Sequence, residues 1–127
     1  VGSEMCIRDR LIYFGEFDKA LQELERAKRL DPFSHDLLFG PEAICHYWLD
    51  NPEVALQTFK KVKVKKNFLF YIALANKKSG NNDTASENLK EAYALTGMDN
   101  DSFVGSQPFK DQEFTSKLKD ELSNITV

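Results

Sequence analysis

FGEFDKALQELERAKRLDP, residues Phe14 to Pro32, is the stretch that decides the fold. Phe17, Ala20, Leu21, Leu24, Ala27 and Leu30 fall at spacings of three and four, so a helix would carry them on one face. Gly15 ends whatever precedes it, and Asp18 places negative charge in the first turn. Lys28 and Arg29 complement the dipole at the opposite end. Asp31-Pro32 then stops the helix, because a residue before proline is driven out of the α region.

The same frame returns twice. NPEVALQTFKKVK carries Ala55, Phe59 and Val62 at the spacing of Ala20, Leu24 and Ala27. NDTASENLKEAYAL carries Ala85, Leu89 and Ala92, so the offsets are 35 and then 30 residues. A small residue, a large one four places on and a small one three further, repeated three times, is the signature of a repeat architecture. Each later copy is preceded by a second helix-like segment. Leu37 to Leu49 carries Leu38, Phe39, Ala43, Ile44, Tyr47 and Trp48 and breaks at Asn51-Pro52. Phe68 to Lys78 carries Leu69, Phe70, Ile72, Ala73 and Leu74 and breaks at Ser79-Gly80-Asn81-Asn82. Such short breaks predict antiparallel helical hairpins. No stretch alternates apolar and polar residues as a half-buried strand would. The expected class is all-α.

The unit resembles the tetratricopeptide repeat, whose pattern sets small residues, an aromatic and a closing proline over roughly 34 residues. Copy one matches at Gly15, Phe17, Ala20, Leu24, Ala27 and Pro32. Copy two matches at Ala43, Leu49, Ala55 and Phe59, with Val62 in place of a small residue and no closing proline. Copy three matches at Leu69, Ile72, Ala73, Gly80, Ala85, Leu89 and Ala92, again without the proline. The resemblance covers about three quarters of the chain and implies a right-handed solenoid of helical hairpins. Its units are residues 11–33 (partial), 35–66 and 67–97, within a repeat region of 11–98.

Residues 99–127 are expected to hold a loop and a closing helix. Thr96 to Pro108, rich in Gly, Asp, Asn and Ser, reads as loop with Phe103 and Val104 as anchors. Asp111 to Asn124 reads as a helix with Phe114, Leu118 and Leu122 on one stripe. Lys117, Lys119, Asp120 and Glu121 would give it the polar outer face that the end of a solenoid needs. The Gln107-Pro108-Phe109-Lys110-Asp111 turn before it is similar to the C-terminal ends of repeat regions in bacterial signalling proteins. Those are nucleotide cyclase-like or winged-helix proteins, and the RLDPFSHD stretch adds to the likeness. At the other end, Val1 to Arg10, VGSEMCIRDR, resembles translated sequencing-adapter read-through and lacks any apolar stripe or cleavage site. Native sequence is therefore expected from Leu11, as the C-terminal part of a longer protein. Its edge at Leu11, Ile12 and Phe14 would await a further helix. Without Cys6, Cys45 stands alone, so no internal disulfide is expected and a reducing, cytoplasmic setting is.

With 127 residues, 42% hydrophobic and 29% charged, the chain is long enough for one core. Its 17 basic and 20 acidic residues leave a formal charge of −3, which gives no attraction for nucleic acid. No apolar run approaches the roughly 20 residues that span a bilayer. Lys60, Lys61, Lys63, Lys65 and Lys66 form a basic run with no interleaved aromatic, the pattern of a solvated helix end. Chemistry is also lacking. His35, His46 and Cys45 do not offer three or four ligands at metal spacing, so no metal or cofactor is expected. Ser34-His35-Asp36 has the residue types of a triad, but sequence neighbours cannot reach one another across a pocket. Glu23 and Glu25 sit on a solvated face, and no glycine-rich phosphate loop exists. No catalytic residue is expected.

The resemblance implies a protein-interaction scaffold whose first helices line a concave groove. Family position puts Gly40, Ile44, Tyr47, Phe70, Leu74 and Lys77 on that groove, where a protein or peptide partner would bind. The polar residues that clamp a peptide carboxylate in some members are not reproduced, so an apolar or mixed partner is implied. The alternative is a regulatory region that contacts an upstream domain of its own chain.

Overall fold

The structure, a computed structural model, describes residues 10–30, 35–62, 68–107 and 109–125. Among them every regular element is helical, and no strand occurs. After a helical turn at residues 10–13 come α1 (Phe17–Leu30), α2 (His35–Trp48), α3 (Pro52–Phe59), α4 (Leu69–Lys78), α5 (Asn82–Thr96), α6 (Asn100–Ser106) and α7 (Gln112–Ser123). The fold is all-α. From α1 to α5 consecutive helices pack side by side, most closely α2 with α3 and α4 with α5, and α6 packs on α7.

One chain reversal recurs three times. Gly15, Asp50 and Gly80 all take left-handed backbone, with φ of 77°, 65° and 86°. Each donates its N–H to the carbonyl three residues back, to Ile12, Tyr47 and Lys77 at 3.0, 3.2 and 3.2 Å. The following residue donates five residues back: Glu16 to Leu11, Asn51 to His46 and Asn81 to Asn76, at 2.8, 2.9 and 2.8 Å. This paired pattern satisfies two of the orphan carbonyls at a helix end and turns the chain back on itself. The next helix then starts identically. Ala20, Ala55 and Ala85 donate to Glu16, Asn51 and Asn81 at 3.0, 3.0 and 2.9 Å. Pro52 takes a first-turn position in α3, where its missing N–H is harmless.

The small and large residues of the repeat do the packing. Ala20, Leu24, Ala55, Phe59, Val62, Ala85, Leu89 and Ala92 are buried, as are Ala43 and Ala73 on the opposing helices. Alanine at these positions lets neighbouring helices approach closely, and the large residue fills the space beside it. Ala27 departs from the pattern and is only half-buried.

Three expectations are corrected. The segment read as loop contains α6: Asp99 accepts the Ser102 N–H at 2.8 Å, and Phe103 is buried. Poor helix formers are overruled there by a cap and an aromatic anchor. The closing helix, α7, does not merely end the row. It folds back toward the start of the chain, where Lys110 N–H donates to the Tyr13 carbonyl at 2.9 Å. Phe109 and Phe114 pack with Phe17 and Trp48, the Phe17 and Trp48 rings stacking at 5.7 Å. Of the expected N-terminal edge, Ile12 is buried, Leu11 is half-buried, and only Phe14 is exposed, beside Tyr13. Val1 to Asp9, Pro32, Ser34, Lys63, Lys65 and Lys66 lie outside the described residues.

Asp50 is the one non-glycine residue at positive φ among those described, and it is exposed. Asp50→Val should therefore lose about 1–2 kcal/mol in urea unfolding, because a β-branched side chain tolerates left-handed backbone poorly. Asp50→Gly should lose nothing. Equal losses would mean that the Asp50 carboxylate, 3.6 Å from Lys78 Nζ, holds the turn instead.

Candidate functional site

The six residues expected to line an open groove do not form one. Gly40 is buried, and a Cβ there would stand 2.3 Å from the Phe68 ring. Tyr47, Phe70 and Leu74 belong to a single core with Phe103, Leu118, Leu122 and Ile125. Ile44 and Lys77 are half-buried. The physical reason is that this face is too apolar to leave wet. Phe68 closes over Gly40, and the chain covers Phe70, Tyr71 and Leu74 with its own C-terminal segment.

The contacts of that cover are specific. The Phe103 ring of α6 stacks on Phe70 at 4.3 Å and meets Tyr71 edge-on at 5.5 Å. The Tyr71 hydroxyl donates to Gln107 Oε1 at 2.8 Å, and burial raises its phenol far above the ordinary range. Lys78 extends from α4 over the Tyr47 ring at 4.3 Å, and its ammonium lies 3.4 Å from Glu121 of α7. Burial raises the Glu121 carboxyl above its usual range. Glu121, expected on the solvated outer face with Lys117, Lys119 and Asp120, is thus half-buried against the body while those three are exposed.

The opposite side of α4 is open. At about 100° per residue, Leu69, Ile72 and Asn76 share a stripe facing away from Phe70, Tyr71, Leu74 and Lys78. There they floor a cleft of about 420 Å³ between α3 and α5, with Leu56 and Lys60 on one side and Asn81, Thr84, Asn88 and Glu91 on the other. Three asparagines organise it. Asn76, buried, donates from Nδ2 to Asn88 Oδ1 at 2.7 Å and accepts from Asn81 Nδ2 at 3.4 Å. Its carbonyl also holds the hairpin turn through the Asn81 N–H. The visible sequence signal was an asparagine on an apolar helix stripe, four residues after Ile72.

Thirty residues earlier the equivalent place is filled. His46 and Glu42 stand where Asn76 and Ile72 stand in the later hairpin, and Lys28 of α1 reaches Glu42 at 2.6 Å. Burial lowers the His46 pKa, and the Glu42 charge partly offsets that shift. In the later hairpin Ile72 and Asn76 line the cleft instead.

Other candidates for chemistry stay apart. Among the described residues, no group of three or more His, Cys, Asp or Glu side chains could hold a metal ion. Cys45 is fully buried. The side chains of His35 and Asp36 lie outside the described residues, while Lys60 and Lys61 are exposed. No described helix is long and apolar enough to cross a membrane. No family model, curated protein or solved structure matches this sequence.

Phe103→Ala should cost about 3 kcal/mol of unfolding free energy, typical of an emptied aromatic site, and make residues 99–125 the first target of limited proteolysis. A loss below about 1 kcal/mol would show that Phe103 does not hold the cover. Glu121 carries a pH signature. Its raised folded pKa means that the protonated form favours folding; that stability is present at low pH and lost as pH rises through the folded pKa. Glu121→Gln should therefore gain in melting temperature relative to the native chain between pH 4 and pH 7. A change in the opposite direction would mean that the ion pair with Lys78 outweighs burial.

Proposed function

We propose that the chain is a protein-interaction module built as a tetratricopeptide-like stack of helical hairpins. The observation that carries this reading is the threefold recurrence of one hairpin. The same left-handed turn, the same paired hydrogen bonds and the same buried alanine with a large residue four places on return at residues 15–24, 50–59 and 80–89. Repeats of this kind bury their apolar faces on one another and leave an extended surface whose residues vary freely, which suits recognition of other proteins.

The surface offered to a partner is not the groove first expected, since the α6–α7 segment is already packed there. The cleft over Leu69, Ile72 and Asn76 combines an apolar floor with a few oriented polar groups, the usual make-up of a recognition site. Peptide-display selection on the immobilised full chain tests the module reading. Mutually related sequences should be enriched that bind the folded chain and not the urea-unfolded one. Failure to enrich any sequence above background would overturn it.

A further inference from the structure

We propose that the cleft between α3, α4 and α5 binds about three residues of an extended peptide, gripping its main chain through Asn81 and Asn88 and seating one large apolar side chain on Leu56, Leu69 and Ile72. The proposal rests on the interaction-module reading and adds the chemistry of the partner.

Hydrogen-bond accounting leads to it. A carboxamide offers two donor hydrogens and one acceptor oxygen. Asn76 spends its Nδ2 on Asn88 Oδ1 and its Oδ1 on Asn81 Nδ2. Asn88 is thereby left with Nδ2 as an outward donor, and Asn81 with Oδ1 as an outward acceptor. Both residues line the cleft. One donor and one acceptor are what a peptide main chain needs to satisfy a carbonyl and an N–H on its near edge. Because Asn76 is buried and bonded on both sides, the two flanking amides are oriented before any ligand arrives, which reduces the ordering entropy of binding.

The spacing agrees. Asn81 caps α5 and Asn88 lies seven residues on, so their backbones are about 10 Å apart along the axis while both side chains lean in to the one Asn76 amide. Their outer atoms therefore span at most about three residues of extended chain. A β-like segment alternates its side chains, so one of the three points down to the floor while its neighbours point out. Lys60 and Glu91 at the rim carry opposite charges and favour neither a basic nor an acidic peptide. Selectivity then comes from the apolar side chain, and affinity from the main chain. In the preceding hairpin the Lys28–Glu42 pair occupies the position that Ile72 takes here, so the apolar floor is not repeated there.

The test uses the ¹⁵N-labelled full chain and three acetylated, amidated alanine pentapeptides with leucine, phenylalanine or aspartate at the centre. Leucine and phenylalanine peptides should shift the Asn81 and Asn88 side-chain amide resonances saturably, and the aspartate peptide should bind roughly tenfold more weakly. N88D keeps the acceptor that Asn76 needs and removes the outward donor. It should weaken binding about fivefold, the size of one lost neutral hydrogen bond, with an unchanged melting temperature. N-methylation of the peptide amide facing Asn81 should weaken binding by a similar factor. If neither side-chain amide shifts with any peptide, or if N88D binds as tightly as the native chain, the cleft proposal is wrong. Display-selected sequences that still bind the folded chain would, in that case, leave the module reading standing.

Discussion

Three residues in left-handed backbone, Gly15, Asp50 and Gly80, govern the architecture. Each ends one helix with a pair of backbone hydrogen bonds and points the chain back so that the next helix lies antiparallel against it. The spacing of these turns sets which apolar residues meet. Ala20, Ala55 and Ala85 donate to the residue just past each turn and are fully buried, so the turn and the closest helix approach are one unit. Were the turn to shift by a residue, every alanine in the interface would rotate by about 100° and a larger or charged side chain would take its place.

The hairpins leave α4 with two unlike faces. Phe70, Tyr71 and Leu74 must be kept from water, and the chain does this itself with α6 and α7. Phe103 stacks on Phe70, Gln107 accepts from Tyr71, and Lys78 ties Glu121 to the body. The return also joins the two ends of the described chain, since Phe109 and Phe114 share an aromatic cluster with Phe17 and Trp48. On the other face, an asparagine replaces the apolar residue that the stripe calls for, and a cleft with three linked carboxamides results. The cleft thus lies on the side of this helix where apolar packing is incomplete.

The repeat was legible in the sequence because close packing restricts its positions so strongly. Alanine at 20, 55 and 85 and a large residue four places on leave a trace that periodicity can find. The Cys45 side chain also reads correctly as a small buried hydrophobe. The short helix α6 was not legible. Asn100, Ser102 and Gly105 argue against a helix, and the cap from Asp99 and the burial of Phe103 outweigh them only once the rest of the fold is present. The site was less legible still. Tyr47, Phe70 and Leu74 occupy positions that a repeat pattern assigns to an open groove, and nothing local says that a segment about thirty to seventy residues downstream will cover them.

By itself, then, the sequence determined the helical class, the hairpin frame and the residues at which helices touch, because these follow from local backbone preference and a 3.6-residue period. Only the tertiary structure decided which face stays open. Coverage depends on where α6 and α7 return, and that depends on a few long-range contacts among Phe17, Trp48, Phe70, Phe103 and Phe114. Aromatic stacking and burial act between residues far apart in the chain, so no window of sequence contains them.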